Sequence, residues 1–191
     1  FFRGKLAVEL DYFHETRSNI LVRRNVLPGI AGLIDRPFAN IGKMRNQGID
    51  GTIELNHTFN KVSVRLYGNG TFTKNKVLEK DEPNRKYLYQ NETGKKYGQQ
   101  FGLISLGYFK DQAEIDASPQ QTFGVVRPGD IKYLDVNGDG KIDSYDEVAI
   151  GHSNIPELIY GFGFQVEYKG FDVALFFRGQ SRVSYMLGGE G

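Results

Sequence analysis

The 191-residue sequence contains no cysteine, so it can build neither a disulfide framework nor a thiolate metal site. Its three histidines, His14, His57 and His152, lie far apart and show no H-E-x-x-H or H-x-x-E-H spacing. That argues against a transition-metal centre. Neither sign of charge prevails: 24 Lys and Arg face 23 Asp and Glu, for a net charge of +1. No nucleic acid or other charged polymer is therefore implied as a partner. The basic residues between 74 and 96 are interleaved with Glu79, Asp81, Glu82 and Glu92, the composition of a solvated loop. No apolar run approaches the ~20 residues of a membrane-spanning helix. This excludes helical spans and leaves strands open, because a spanning strand needs only ~9–11 residues of alternating character. Catalytic signatures are missing too. Residues 102–107 read G-x-x-S-x-G and not the G-x-S-x-G of a nucleophile elbow. Gly68-Asn69-Gly70 has no helix after it and marks close packing or a strand bend, not a phosphate cradle. Nothing in the sequence points to an enzyme.

What is present is aromatic and glycine-rich: 14 Phe, 11 Tyr and 24 Gly, a composition that favours strands. Period-2 alternation places strands near 5–13, 49–59, 62–73, 159–168 and 171–180. The apolar sets are Leu6, Val8, Leu10 and Tyr12; Ile49, Ile53, Leu55 and Phe59; Val62, Val64, Leu66 and Phe72; Tyr160, Phe162, Phe164, Val166 and Tyr168; and Phe171, Val173, Leu175 and Phe177. Their alternates carry Glu54, Arg65, Glu167 and Arg178. Asn60-Lys61 and Lys169-Gly170 read as tight turns. In a two-residue hairpin the flanking residues face each other, so Phe59 should pair with Val62 and Tyr168 with Phe171, apolar against apolar. A short helix is expected around Lys110–Ile115 and a further strand within 101–109. The remaining segments, 14–48 and 74–158, are expected to be long loops, with Pro28, Gly29, Gly32 and Pro37 punctuating the first.

Both short turns return the chain at one rim and both long segments at the other. This predicts an all-β, antiparallel transmembrane β-barrel wall with long external loops. A soluble sandwich alternates in the same way. An insertion as long as 74–158 tilts the reading towards the barrel, because such loops are rare in compact domains unless functional. The chain opens on Phe1 without an initiator Met or signal peptide, so it is expected to be a piece of a longer protein.

Inside the second long segment, residues 135–146 match the calcium-loop pattern D-x-[DN]-x-[DN]-G. Asp135, Asn137 and Asp139 occupy positions 1, 3 and 5, and Gly140 the sharp turn at position 6. Lys141 would offer its backbone carbonyl at position 7, Asp143 a direct or water-mediated contact at position 9, and Asp146 a carboxylate at position 12. The usual residue at position 12 is Glu, and the shorter Asp reaches less far. These six residues are the candidate metal ligands and calcium the candidate cofactor, in a structural role. A solvated Asp/Asn/Gly turn is the competing reading. The segment resembles dockerin-type calcium loops, where Asp also occurs at position 12, more than an EF-hand with helices on both sides.

Several stretches resemble the SusC/RagA family of TonB-dependent outer-membrane transporters. They are residues 40–50 (NIGKMRNQGID), 128–143 (PGDIKYLDVNGDGKID), 150–157 (IGHSNIPE), Tyr160-Gly161-Phe162 and 168–172 (YKGFD). The resemblance runs in order over nearly the whole chain. It implies a late part of a large barrel in the outer membrane of a Gram-negative cell, in contact with outer-membrane lipid and lacking the final strands. It further implies nutrient import, of glycan oligosaccharides or peptides, with a SusD-like surface lipoprotein as partner. Coupling to TonB would run through regions outside this sequence. The alternative from the residues alone is a secreted, calcium-stapled β-sandwich for adhesion or carbohydrate binding. A passive porin is a third reading, without plug or lipoprotein.

Overall fold

A computed structural model describes residues 5–26 and 36–187. Five long strands dominate it: β1 (Leu6–Arg23), β2 (Phe38–Phe59), β3 (Val62–Glu79), β10 (Leu158–Tyr168) and β11 (Phe171–Ser181). They form one antiparallel sheet in the order β1-β2-β3-β10-β11. The sheet is open, with β1 and β11 as its edges. Both hairpin registers follow from the turn chemistry: Phe59 lies opposite Val62, and Tyr168 opposite Phe171. Asn60, Lys169 and Gly170 take the positive φ values these turns require.

The alternation also sets which side chains meet across strands. Leu55, Leu66, Phe164 and Leu175 form one continuous row, and Ile53, Gly68, Phe162 and Phe177 the next. Phe162 and Phe177 stack at 5.3 Å. Yet these rows are not covered. Val8 is 57% exposed, Leu66 46% and Val173 58%. A sandwich would bury this face under a second sheet about 10 Å away. Among the described residues no such layer exists, and the buried apolar side chains are Val77, Phe109 and Ile142, which lie at or beyond the outer end of the sheet. The apolar face is thus bare among the described residues, where a sandwich would cover it.

The strands are longer than the alternation indicated, so the long-loop boundaries need correction. Residues 14–23 continue β1, and 38–48 belong to β2, with His14 opposite Gln47 and Arg17 opposite Met44. The expected loop 14–48 shrinks to 24–37, and its Pro28, Gly29 and Gly32 fall outside the described residues. Likewise β3 runs on to Glu79, so the second insertion begins at Lys80 and not at 74. The reason is physical. Where both faces of a strand meet water, as at His14-Glu15-Thr16-Arg17, the apolar period vanishes while backbone pairing persists. Irregular register between Arg17 and Leu21, with Asn19 at φ 57°, marks the outer part of β1.

The insertion between β3 and β10 is built from short pieces. β4 (Gln99–Gly102) pairs with β9 (Val148–Ser153), and β5 (Ser105–Tyr108) with β7 (Ile131–Tyr133), both antiparallel. β6 (Gln120–Gln121) runs parallel to β8 (Lys141–Ile142). The strand expected within 101–109 is thus two strands, broken at Leu103-Ile104. The expected helix is α1 (Gln112–Asp116), capped by the Asp111 carboxylate, which accepts the Glu114 N–H at 2.8 Å. No helix among the described residues is long and apolar enough to cross a membrane, which leaves strands unaddressed.

Candidate functional site

Three places concentrate polar chemistry: the polar face of the sheet, the 135–146 loop, and the rim where the insertion meets the strands.

On the polar face Arg65 donates to Glu54 at 2.7 Å, Asn56 donates to the same carboxylate at 2.7 Å, and the Arg65 guanidinium sits 5.4 Å from the Tyr67 ring. Beside this group two rings converge over β10. Tyr67 and Phe176 flank it on neighbouring strands, nearly parallel at 8° with centroids 5.8 Å apart. They fit because β10 has glycine beneath them. A Cβ on Gly161 would lie 2.5 Å from Phe176, and one on Gly163 2.7 Å from Tyr67. Phe176 stays 53% exposed on a face otherwise lined by Asp50, Thr52, Asn69 and Arg178. The signal for Phe176 in the sequence is an aromatic in the register of Asp172 and Arg178.

The six expected calcium ligands lie on one loop, and each carboxylate or amide group among them accepts at least one backbone N–H. Asp135 accepts N–H groups from Gly138 (2.7 Å) and Gly140 (2.8 Å), Asn137 from Asp139 (2.8 Å), and Asp139 from Lys141 (3.0 Å). Asp143 accepts from Tyr145 (2.7 Å). Asp146 is fully buried and ties the ends of the loop together: it accepts from Val136 and Asp143, each at 2.9 Å, and at 3.4 Å from Asn137. Gly138 and Gly140 have φ of 74° and 81°, which the sharp turn demands. Among the described residues no three His, Cys, Asp or Glu side chains converge as a metal site. The loop is also buttressed from outside its motif: Tyr89 Oη donates to the Tyr145 carbonyl at 2.6 Å, and Gln90 to that of Ser144 at 2.7 Å. Tyr87 stacks on Tyr89, and Lys86 lies over both Tyr87 and Tyr145.

At the rim, Asp81 receives the end of β1. Its Oδ2 accepts from Asn25 N–H (2.7 Å), Arg24 Nε (2.9 Å) and Val26 N–H (3.2 Å). The Val26 N–H, helped by Asn25 and Arg24, holds this carboxyl below its usual range despite desolvation. A depressed carboxyl stabilises the folded junction above the unfolded value of ~3.9 and stops doing so as pH falls through the folded value. The 24–26 tie should hold at neutral pH and loosen below pH ~4. Amide exchange at Asn25 and Val26, corrected for intrinsic rate, will show this, and Asp81→Asn should reproduce the loosening at pH 7. A second rim carboxylate, Glu157, is buried between Lys96 and Arg182. Neither rim group was legible, because their partners are remote in sequence and no motif links them.

An open antiparallel sheet, bare on its apolar face and polar on the other, with the insertion at one end, defines a segment of barrel wall. Comparison with known proteins gives the family. Residues 1–182 match the family model "TonB dependent receptor-like, beta-barrel", and the chain belongs to this family, which places it in the outer membrane. It is 30% identical to a TonB-dependent receptor of Formosa agariphila over 93% of this chain and 19% of that protein. A second TonB-dependent receptor from the same organism is 24% identical over the same shares. The chain thus spans about a fifth of these relatives. The fold is similar to that in structures of the RagAB peptide importer. The closed-closed state gives a TM-score of 0.69 at 18% identity, covering 95% of this chain and 20% of that one. The open-open state gives 0.71 at 17% identity, covering 95% and 19%. TonB-dependent receptors are transporters, which agrees with the absence of enzyme signatures in the sequence.

Proposed function

We propose that this chain forms wall and external loops of an outer-membrane nutrient importer. The observation that carries the reading is the two-faced sheet whose apolar side no described residue covers. In this reading lipid covers Val8, Leu66, Phe164 and Val173, while Glu54, Arg65 and Glu167 line a watery lumen. The 11 residues of β10 match the ~9–11 needed to cross the hydrocarbon core. Phe59, Tyr168 and Phe171 at the turn end supply the aromatic girdle expected at a membrane interface. The strands β1, β2 and β3 then project past the membrane and carry the insertion outside the cell. The cargo is an oligosaccharide or a peptide, delivered with a SusD-like lipoprotein, and uptake is driven through TonB by parts of the protein beyond this chain. The solved neighbours, described as peptide importers, support the peptide arm. Affinity purification of the full-length protein from outer membranes, followed by uptake assays with and without its co-purifying lipoprotein, tests this. No lipoprotein, or uptake independent of TonB, contradicts it.

We also propose that Asp135, Asn137, Asp139, the Lys141 carbonyl, Asp143 and Asp146 hold a structural calcium ion. Apart from Asp146 Oδ1, which takes two N–H groups, the oxygens that accept an N–H retain a further lone pair, and four carboxylates offset by Lys141 in the loop and Lys86 beside it gain from a divalent cation. Asp139→Ala should weaken calcium binding more than Lys141→Ala, because position 7 contributes only its carbonyl. Calorimetric titration of the full-length protein decides; no heat at millimolar calcium leaves the loop as a polar turn closed by its own backbone.

A further inference from the structure

Glu157 is 3% exposed and stands where three segments meet. Its carboxylate pairs with Lys96 of the insertion and accepts from Arg182 Nε, just past β11, at 2.6 Å. Its backbone joins the same parties. The Thr73 N–H of β3 donates to the Glu157 carbonyl at 2.8 Å, and the Glu157 N–H to that of Arg182 at 3.4 Å. The Arg182 guanidinium lies 5.7 Å from the Phe72 ring.

The surroundings reinforce the junction. The buried Ser153 donates to the Tyr97 carbonyl at 2.6 Å and accepts the Ser184 N–H on its own carbonyl at 3.0 Å. Asn154 N–H reaches the Gly98 carbonyl at 3.1 Å, an approach that leaves no room for a side chain, since a Cβ on Gly98 would sit 2.0 Å from the Asn154 amide oxygen. Burial pushes the Glu157 carboxyl up, and the two cations more than reverse this, leaving it below the ordinary range. A buried carboxylate is retained only when paired and hydrogen-bonded. Here the two cations come from two different segments, neither of them the 154–157 connection that carries the glutamate. The strands within the insertion are two to six residues long and supply little cohesion of their own.

We propose that Glu157 is a clasp that fastens the insertion and the segment after β11 onto the ends of β3 and β10, so that insertion and wall move as one body. The clasp has two halves: Lys96 holds the insertion and Arg182 the segment after β11.

The test is hydrogen exchange, read by mass spectrometry on the full-length protein in detergent at pH 7. Glu157→Gln keeps the shape and removes the charge. Exchange over 94–99 and 152–157 should rise at least tenfold, with 162–166 and 173–177 unchanged. Lys96→Gln should loosen 94–99 and spare 182–184, and Arg182→Gln should do the reverse. Parental exchange at 94–99 in Glu157→Gln would reduce the glutamate to a space-filler. Identical loosening of all segments, strands included, in the two cation variants would show general destabilisation and overturn the clasp. If Glu157→Gln does not assemble, the opposed responses of the two cation variants still decide.

Discussion

Leu66→Arg in the full-length protein is expected to destabilise the folded barrel by ~2–4 kcal/mol, the cost of an arginine facing lipid near mid-membrane. Leu66 lies opposite Leu55 on one side and Phe164 on the other, in the middle of the apolar rows. Its guanidinium would have no polar partner within reach along those rows. Thr52→Arg is the matched control. Thr52 belongs to the opposite face, opposite Glu9 and Asn69, where a new cation meets a carboxylate and an amide. It should cost less than ~1 kcal/mol, as lumen substitutions mainly tune selectivity. Denaturant titration of protein folded into lipid vesicles gives both values. Equal penalties would mean that the two faces see the same solvent.

Asp146→Ala should have the second large effect, confined to the insertion. The fully buried carboxylate closes the 135–146 loop by accepting N–H groups from both of its ends. Hydrogen bonds to a charged acceptor contribute ~1.5–3 kcal/mol each, and an orphaned buried donor costs ~1–3 kcal/mol. Removing the acceptor should therefore lower local stability by roughly 3 kcal/mol or more, speeding amide exchange at Val136 and Asp143 over a hundredfold. The strands of the wall should not respond, since the loop touches them only through the insertion. Asp146→Asn is expected to fall between, as an amide keeps one accepting oxygen. Should calcium occupy the loop, chelation will add to the loosening in the parent and add nothing in Asp146→Ala.

The sheet was legible in the sequence because its chemistry repeats. Two hairpins agreed in register, with Phe59 against Val62 and Tyr168 against Phe171, and one slipped residue would have exchanged the faces. Strand ends were not legible. Residues 14–17 pair through the backbone while both of their faces meet water, and in 38–48 the covered positions are mostly glycine or polar, Gly42, Lys43, Arg45, Asn46 and Gly48, so no apolar period records them. Barrel and sandwich could not be separated by alternation, since both ask for it; the family match over residues 1–182 separates them. The motif at 135–146 was readable as spacing. Its spacing did not show that Asp146 would be buried or that each of its carboxylate and amide groups would serve a backbone N–H. Glu157 and Asp81 carried no local signal at all, because their partners join only after the chain has folded back. Phe176 did carry one, as an aromatic among Asp172, Ala174 and Arg178.

In the proposed barrel one face of this sheet lies against lipid and the other against a watery lumen. The sequence has no cysteine of its own, so within this chain each substitution adds a single thiol. Cysteines placed at Val64, Leu66, Phe164, Val166, Val173 and Leu175, and separately at Glu54, Arg65 and Glu167, should be challenged in intact outer membranes with a membrane-impermeant maleimide small enough to enter the barrel. The expected result is protection of the first set and labelling of the second, with the protected thiols becoming reactive once the protein is denatured. Labelling of Leu66 and Val173 alongside protection of Arg65 and Glu167 would contradict the account.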